Sequence, residues 1–349
     1  MSHARDGTRD GRVRPTVISW GMLVDFMAGI AASPIDVEAA AARAERDGYD
    51  GFGAAESKHD VFTALTLAAR ATETITLQSG IAVAFARNPM SLAVLANDLQ
   101  LISRGRFQLG LGSQVQAHIE RRFAMPWGKP AARMAEFVAA VRAIWDAWRT
   151  GDRLAFRGEF YRHTLMTDFF DPGPNPFGNP PILLAAVGER MTAVAGQVAD
   201  GLLVHPLTSP AYIRERTRPT LGATGEGFSL SLSAFVVLGE DEKARSKAEQ
   251  AVRGQIAFYA STPAYRPVLE LHGWGELADR LNQLSRRQAW AEMAGLIGDD
   301  VLDTFAVGGD VARGLRDRFE GLVDRISFYT PYEVDPELLR EVRESVAIP

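Results

Sequence analysis

Short apolar runs alternate with amphipathic stretches along most of the chain, the rhythm of repeated strand–helix units. The runs Val17–Met22, Gly51–Ala55, Ile75–Ile81, Phe107–Leu111, Ile182–Ala186, Gly201–Val204, Phe228–Leu238 and Arg325–Tyr329 predict strands. Between them, apolar side chains recur at helical spacing, as in Leu92, Leu95, Leu99 and Ile102, or Phe137, Val141, Ile144, Trp145 and Trp148. Predicted helices open at Pro34, Pro89 and Pro130 and stop at Asp47-Gly48 and Arg104-Gly105. Proline suits a first helical turn, and glycine suits the turn that ends a helix. Further helices are expected over 61–72, 189–198, 210–218, 241–260, 309–321 and 336–345.

Two stretches break the rhythm. Residues 151–180 read as a hairpin arm around Gly158–Arg162, followed by the turn-rich DPGPNPFGNPP at 171–181. Residues 261–300 read as an irregular, mainly helical insertion. Parallel strands need helical crossovers, and eight of them can close a barrel. The expected fold is therefore α/β, a (β/α)8 TIM barrel with insertions at about 151–180 and 261–300, with an open doubly wound sheet as the competing architecture. The insertions account for a chain of 349 residues where about 250 is typical of the fold. Residues 1–14 (MSHARDGTRDGRVR) are expected to be a disordered tail, and 15–349 one barrel domain.

Composition narrows the function. Hydrophobic residues make up 46% and charged residues 23%, as in an ordinary packed protein. Thirty-eight basic against 43 acidic side chains give a net charge of −5 with no long one-sign block, so neither nucleic acid nor an anionic membrane is expected as a partner. The absence of cysteine excludes disulfides, thiolate nucleophiles, iron–sulfur clusters and cysteine zinc sites. The six histidines form no HxH or HxxxH pair, so no metal site is expected. Val17–Ala32 contains Asp25 and is shorter than the ~20 apolar residues of a spanning helix, so a cytoplasmic protein is expected.

In a parallel barrel the chemistry lies just after the strands. Those positions hold Asp25, Glu56 with His59 and Asp60, Ser79-Gly80-Ile81, Gly112-Ser113-Gln114 with His118 one turn on, Val187-Gly188-Glu189-Arg190, and His205. Histidine titrates nearest neutrality, and His59 between two acids is the strongest proton-transfer candidate. Each histidine taken singly is equally readable as structural or solvated. Leu109–Gln114 brings Gly110 and Gly112 to a helix start, where backbone N–H groups can meet an anion. A dinucleotide site is disfavoured, because the third glycine and the acidic residue ~20 positions on are missing. Val187–Met191 repeats the strand–glycine–helix junction and adds Arg190, placed either for a phosphate or simply in solvent. A Schiff-base aldolase lacks a strand-borne lysine, and no carboxylate pair stands out for glycoside hydrolysis.

In this order the motifs DGYDGFGAAESKHDVF (47–62), SGIAVAFARNPM (79–90), SRGRFQLGLGSQVQAHIERRF (103–123), ILLAAVGERMTAVAGQVADGLLVHP (182–206) and TFAVGGDVARGL (304–315) resemble the luciferase-like monooxygenase superfamily. Within it, they resemble the oxidoreductases that use the deazaflavin F420. The resemblance implies a barrel, often dimeric, with the cofactor at the C-terminal face and a non-proline cis peptide within Ser79-Gly80-Ile81 behind the ring. It implies that Gly110, Gly112, Ser113, Gln114 and Val187–Met191 hold the polar side chain and phosphate, with Arg121, Arg122 and Arg190 near an acidic tail. Related sugar-phosphate dehydrogenases carry an aspartate and a catalytic histidine where this chain has Glu56 and Ser57, and an acid where it has Gln114. That activity is therefore not implied, and His59, Glu56 and His118 are the candidates for proton transfer. Trp20, Phe26 and Phe85 are candidate apolar walls. The implied function is hydride transfer between C5 of F420 and a small organic substrate. The alternatives are an FMN-dependent monooxygenase and a non-catalytic flavin-binding carrier or sensor.

Overall fold

Eight parallel strands close on themselves in the order in which they occur in the chain. They are β1 (Leu23–Met27), β2 (Gly51–Ala54), β3 (Thr76–Ser79), β4 (Phe107–Gly112), β5 (Ile182–Ala186), β6 (Gly201–Val204), β7 (Ser229–Val236) and β8 (Arg325–Tyr329). The computed structural model describes residues 22–28 and 33–347. Each strand pairs in parallel with its sequence neighbour, and β8 returns to β1 with Leu23 opposite Arg325. Among the described residues the sheet is a closed barrel with helices outside, and the open-sheet alternative is excluded by the β1–β8 pairing.

The helices stand where the capping residues put them. Asp60 accepts from the Thr63 N–H at 2.8 Å to start Val61–Ala71, and Asn88 accepts from Ser91 N–H at 2.9 Å to start Pro89–Ile102. Pro130–Thr150 runs to Gly151, whose φ of 74° suits glycine at a helix end. The arm at 151–180 contains an antiparallel pair, Phe156–Arg157 with Arg162–His163, as expected.

The first strand differs from expectation. It spans Leu23–Met27 rather than Val17–Met22, most of which lies outside the described residues, as do Trp20 and the tail at 1–14. Leu23-Val24-Asp25, expected just after the strand, lies within it: in the barrel interior the Asp25 carboxylate meets Arg325, so a charge stands in mid-strand. The third strand is interrupted. After Ser79 the Gly80–Ile81 peptide is cis, and Ala82–Val83 resumes pairing beside β4. A short strand not read from the sequence, Ala306–Val307, pairs with Phe235–Val236 of β7.

Side chains alternate across the barrel wall. Val24 and Phe52 are fully buried toward the helices, whereas Asp25 faces the inside, beside Gln78 bonded to Gln108 at 3.1 Å and Ser327 bonded to Ser233 at 2.9 Å. Phe26 stacks on Phe52 and meets Tyr49 edge-on, on the helical side of β1, and the fully buried Phe85 packs against Trp127 and Arg133. Phe85 is a core residue, and Phe26 is partly buried against the core. A second apolar cluster joins Phe235 and Val237 to Val252, Ile256, Leu269, Leu281 and Phe305 of the helices beyond β7. No described helix is long and apolar enough to cross a membrane.

Candidate functional site

At the C-terminal end of β3 the backbone is held from both sides. Ser79 Oγ donates to the Gly110 carbonyl and accepts from the Gly110 N–H, each at 2.9 Å. Gly80 N–H donates to Ala54 O at 2.8 Å, and Ile81 O accepts from Glu56 N–H at 3.0 Å. A Cβ at position 110 would collide with the Ser79 carbonyl oxygen, and one at 112 with the Ile81 side chain. Glycine is therefore required where β4 approaches the Gly80–Ile81 bulge. Ser79, Gly80, Ile81, Gly110 and Gly112 thus form one continuous platform. Beyond it, Ser113 Oγ donates to Gln114 O at 3.1 Å, and Gln114 turns through a left-handed φ of 59°.

At the end of β5 the surface opens into a cavity of about 920 Å³. Gly188, Glu189, Arg190 and Met191 line it, together with Lys129 and Arg216, while Val187 lies just outside. Two helices, Pro130–Thr150 and Glu189–Val198, begin at its edge. Helix starts present unpaired N–H groups and favour anions. A Cβ on Gly188 would meet nothing within 4 Å, so the backbone there borders free space. Lys129 is paired with Glu159 at 2.7 Å, and Glu189 and Glu270 also line the cavity; the volume, the Arg190 and Arg216 side chains and the bare backbone at Gly188 fit a ring-bearing ligand with a phosphate tail.

The candidate proton carriers divide into one paired carboxylate and two exposed imidazoles. The Glu56 carboxylate accepts from Val83 N–H at 2.7 Å and from Arg87 Nη1 at 2.6 Å. Arg87 Nη2 also reaches Asp60 at 2.8 Å, so both acids flanking His59 are committed to one guanidinium. Glu56 is a brace between the β2 and β3 loops. His59 and His118 are exposed, and Arg122, which stacks on Phe123, fixes the β2 loop by donating to Ser57 O at 2.7 Å.

His205, at the end of β6, has a built environment. Its Nδ1 accepts from Leu207 N–H at 3.0 Å, which places the proton of the neutral ring on Nε2. Its ring lies 4.3 Å from that of Tyr265 and 4.5 Å from that of Tyr259, whose hydroxyl is 2.9 Å from that of Tyr329. Burial among these rings disfavours the cation and pulls the imidazole down to about 3. The same burial raises Tyr259, Tyr265 and Tyr329. Sequence reading placed His205 at a strand end, but the rings against it stand 54 and 60 positions away (259 − 205, 265 − 205), and Tyr329 joins them through Tyr259. No local spacing signals such a cluster.

Residues 22–326 match the family described as luciferase-like monooxygenase. An uncharacterized protein of Mycobacterium tuberculosis is 51% identical over 297 residues, covering 82% of this chain and 87% of that protein. A 5,10-methylenetetrahydromethanopterin reductase of Methanolobus tindarius is 27% identical over 274 residues, 76% of this chain and 80% of the reductase. Among solved structures, the coenzyme F420-dependent tetrahydromethanopterin reductase of Methanopyrus kandleri superposes with a TM-score of 0.72 at 20% identity, covering 94% of this chain and 97% of that one.

Proposed function

The chain belongs to the luciferase-like monooxygenase family, and from that premise we propose that it is an F420-dependent oxidoreductase acting on a small organic substrate. The observation that carries the reading is the cavity beyond β5. Its lining combines Arg190 and Arg216 with two helix starts, which suits a phosphate-bearing tail. The platform of Ser79, Gly80, Ile81, Gly110 and Gly112 would support the ring plane, and Ser113, Gln114 and Val187–Met191 the side chain. The deazaflavin, when bound, supplies hydride transfer at C5, and the protein's part is to fix which face is exposed and to exclude water. The methanopterin reductase relatives support F420 over FMN.

The test is titration of the purified protein with F420 and, separately, FMN, followed by fluorescence at one salt concentration. Micromolar or tighter binding of F420 with weak FMN is expected. Preference for FMN would move the protein to the oxygen-using branch of its family, and binding without turnover of any hydride acceptor would favour a carrier. A homodimer is part of the proposal, since Val94, Leu95, Leu101 and Ile102 expose apolar surface along one helix. Light scattering at the mass of one chain would remove that part.

A further inference from the structure

The mouth of the barrel is divided by charge. Lys129, Glu189, Arg190, Arg216 and Glu270 line the cavity beyond β5. Beside it, Tyr259 of helix Glu242–Ala260 and Tyr265 of the turn Pro263–Tyr265 face His205, and Phe235 and Tyr329 of the sheet pack against Tyr259. None of these rings pairs with a carboxylate, lysine or arginine among the described residues. The two zones adjoin, because Tyr265 immediately precedes the helix Arg266–Leu271, whose Pro267, Glu270 and Leu271 line the cavity.

We propose that the Nε2–H of His205, with the Tyr259–Tyr329 hydroxyl pair, binds the oxygen of an uncharged carbonyl or alcohol substrate. Three observations carry it. Leu207 N–H occupies Nδ1, so the remaining ring nitrogen is a donor. That donor has no acceptor among the described residues and lies on a half-buried ring, so it is open to an acceptor on a bound molecule. The surrounding rings offer apolar area and hydroxyls but no charge to balance an ionic substrate.

The inference rests on the proposed hydride chemistry. In the direction of reduction, the carbonyl carbon receives a hydride and the C=O π electrons move onto oxygen. That oxygen takes one proton from solvent. Reduced deazaflavin, giving up one hydride and one proton, is the reductant. His205 stays neutral throughout, so it is a positioning and polarising donor and not the proton source.

Two methyl ketones differing by a carboxylate, 2-pentanone and 4-oxopentanoate, test the proposal on the cofactor-free protein. Imidazole NMR signals of His205 are expected to keep the neutral Nε2–H form from pH 5 to 8 and to shift with 2-pentanone but not with 4-oxopentanoate. Titration near pH 6.5, an equal response to the carboxylate, or no response to saturating 2-pentanone overturns it. With reduced F420, His205→Phe and Tyr329→Phe are expected to lower kcat/KM for 2-pentanone roughly tenfold or more while F420 affinity holds within about twofold. Unchanged kcat/KM in both variants overturns the proposal. Loss of F420 binding by the wild-type protein would count against the proposed function alone, because the NMR arm needs no cofactor.

Discussion

Arg325 of β8 donates two hydrogen bonds to Asp25 of β1, 2.8 Å to Oδ2 and 2.5 Å to Oδ1, across the seam where the barrel closes. Gly51 of β2 makes the pair possible, since a Cβ there would collide with the Asp25 carboxylate. Both side chains are buried, so each neutralises a charge that would otherwise be stranded. Asp25→Ala is expected to cost about 3–5 kcal/mol in urea unfolding, because Arg325 is left unpaired. Asp25→Ala/Arg325→Met should recover part of that loss. A single variant as stable as the wild type would show that the pair does not hold the seam.

Arg87 joins Glu56 and Asp60 beneath His59. Arg87→Ala leaves Glu56 with the Val83 N–H as its partner and should destabilise the protein by about 2 kcal/mol, the scale of a hydrogen bond to a charged group. Faster hydrogen exchange at the Val83 amide is the local signature. Unaltered exchange would show that the brace is dispensable.

Glu45, at the end of helix Val37–Arg46, accepts from the N–H groups of Glu73, Thr74 and Ile75 at 2.6–3.1 Å. Partial burial pushes this carboxyl upward, but the bonds from Thr74, Ile75 and Glu73 together outweigh it and bring it to about 2. A carboxyl held below its ordinary 4.5 stabilises the fold fully above that pH, and the contribution is lost as pH falls toward 2. Glu45→Gln should therefore flatten the stability curve between pH 4.5 and 2 and lower stability at neutral pH. Parallel curves for the two proteins would refute the assignment.

Gly188 and Gly110 separate binding from folding. At Gly188 a methyl group meets open cavity, so Gly188→Ala should change stability by less than about 0.5 kcal/mol while weakening F420 binding. Gly110→Ala drives a carbon into the Ser79 carbonyl and should destabilise the fold by about 1–3 kcal/mol or more. Equal effects on stability would place the two glycines in the same role.

Arg190 is exposed at the cavity edge, in the first turn of Glu189–Val198. Arg190→Ala should weaken F420 binding by about 1–3 kcal/mol, the range of a charge-assisted hydrogen bond. Unchanged affinity would take the phosphate away from this residue.

The sequence by itself determined the barrel. The strands at 182–186, 201–204 and 325–329 are those read from apolar runs, because hydrophobic periodicity and helix punctuation are local properties of neighbouring residues. It also located the glycine junctions at 110–112 and 188, since close backbone approach leaves glycine as a visible residue type, while the cis peptide within 79–81 was legible only through the family resemblance. Only the tertiary structure decided which polar residues are free to act. Asp25 looked like a loop acid until Arg325, 300 positions on, supplied its counter-charge. Glu56 read as a free strand-end acid until Arg87 and the Val83 N–H met on one of its carboxylate oxygens. His205 looked like one strand-end histidine among several until the rings of Tyr259 and Tyr265 packed against it. Burial and charge pairing are sums over neighbours that the chain brings together only by folding, and they fix whether an ionisable group is a brace, a donor or solvent-exposed.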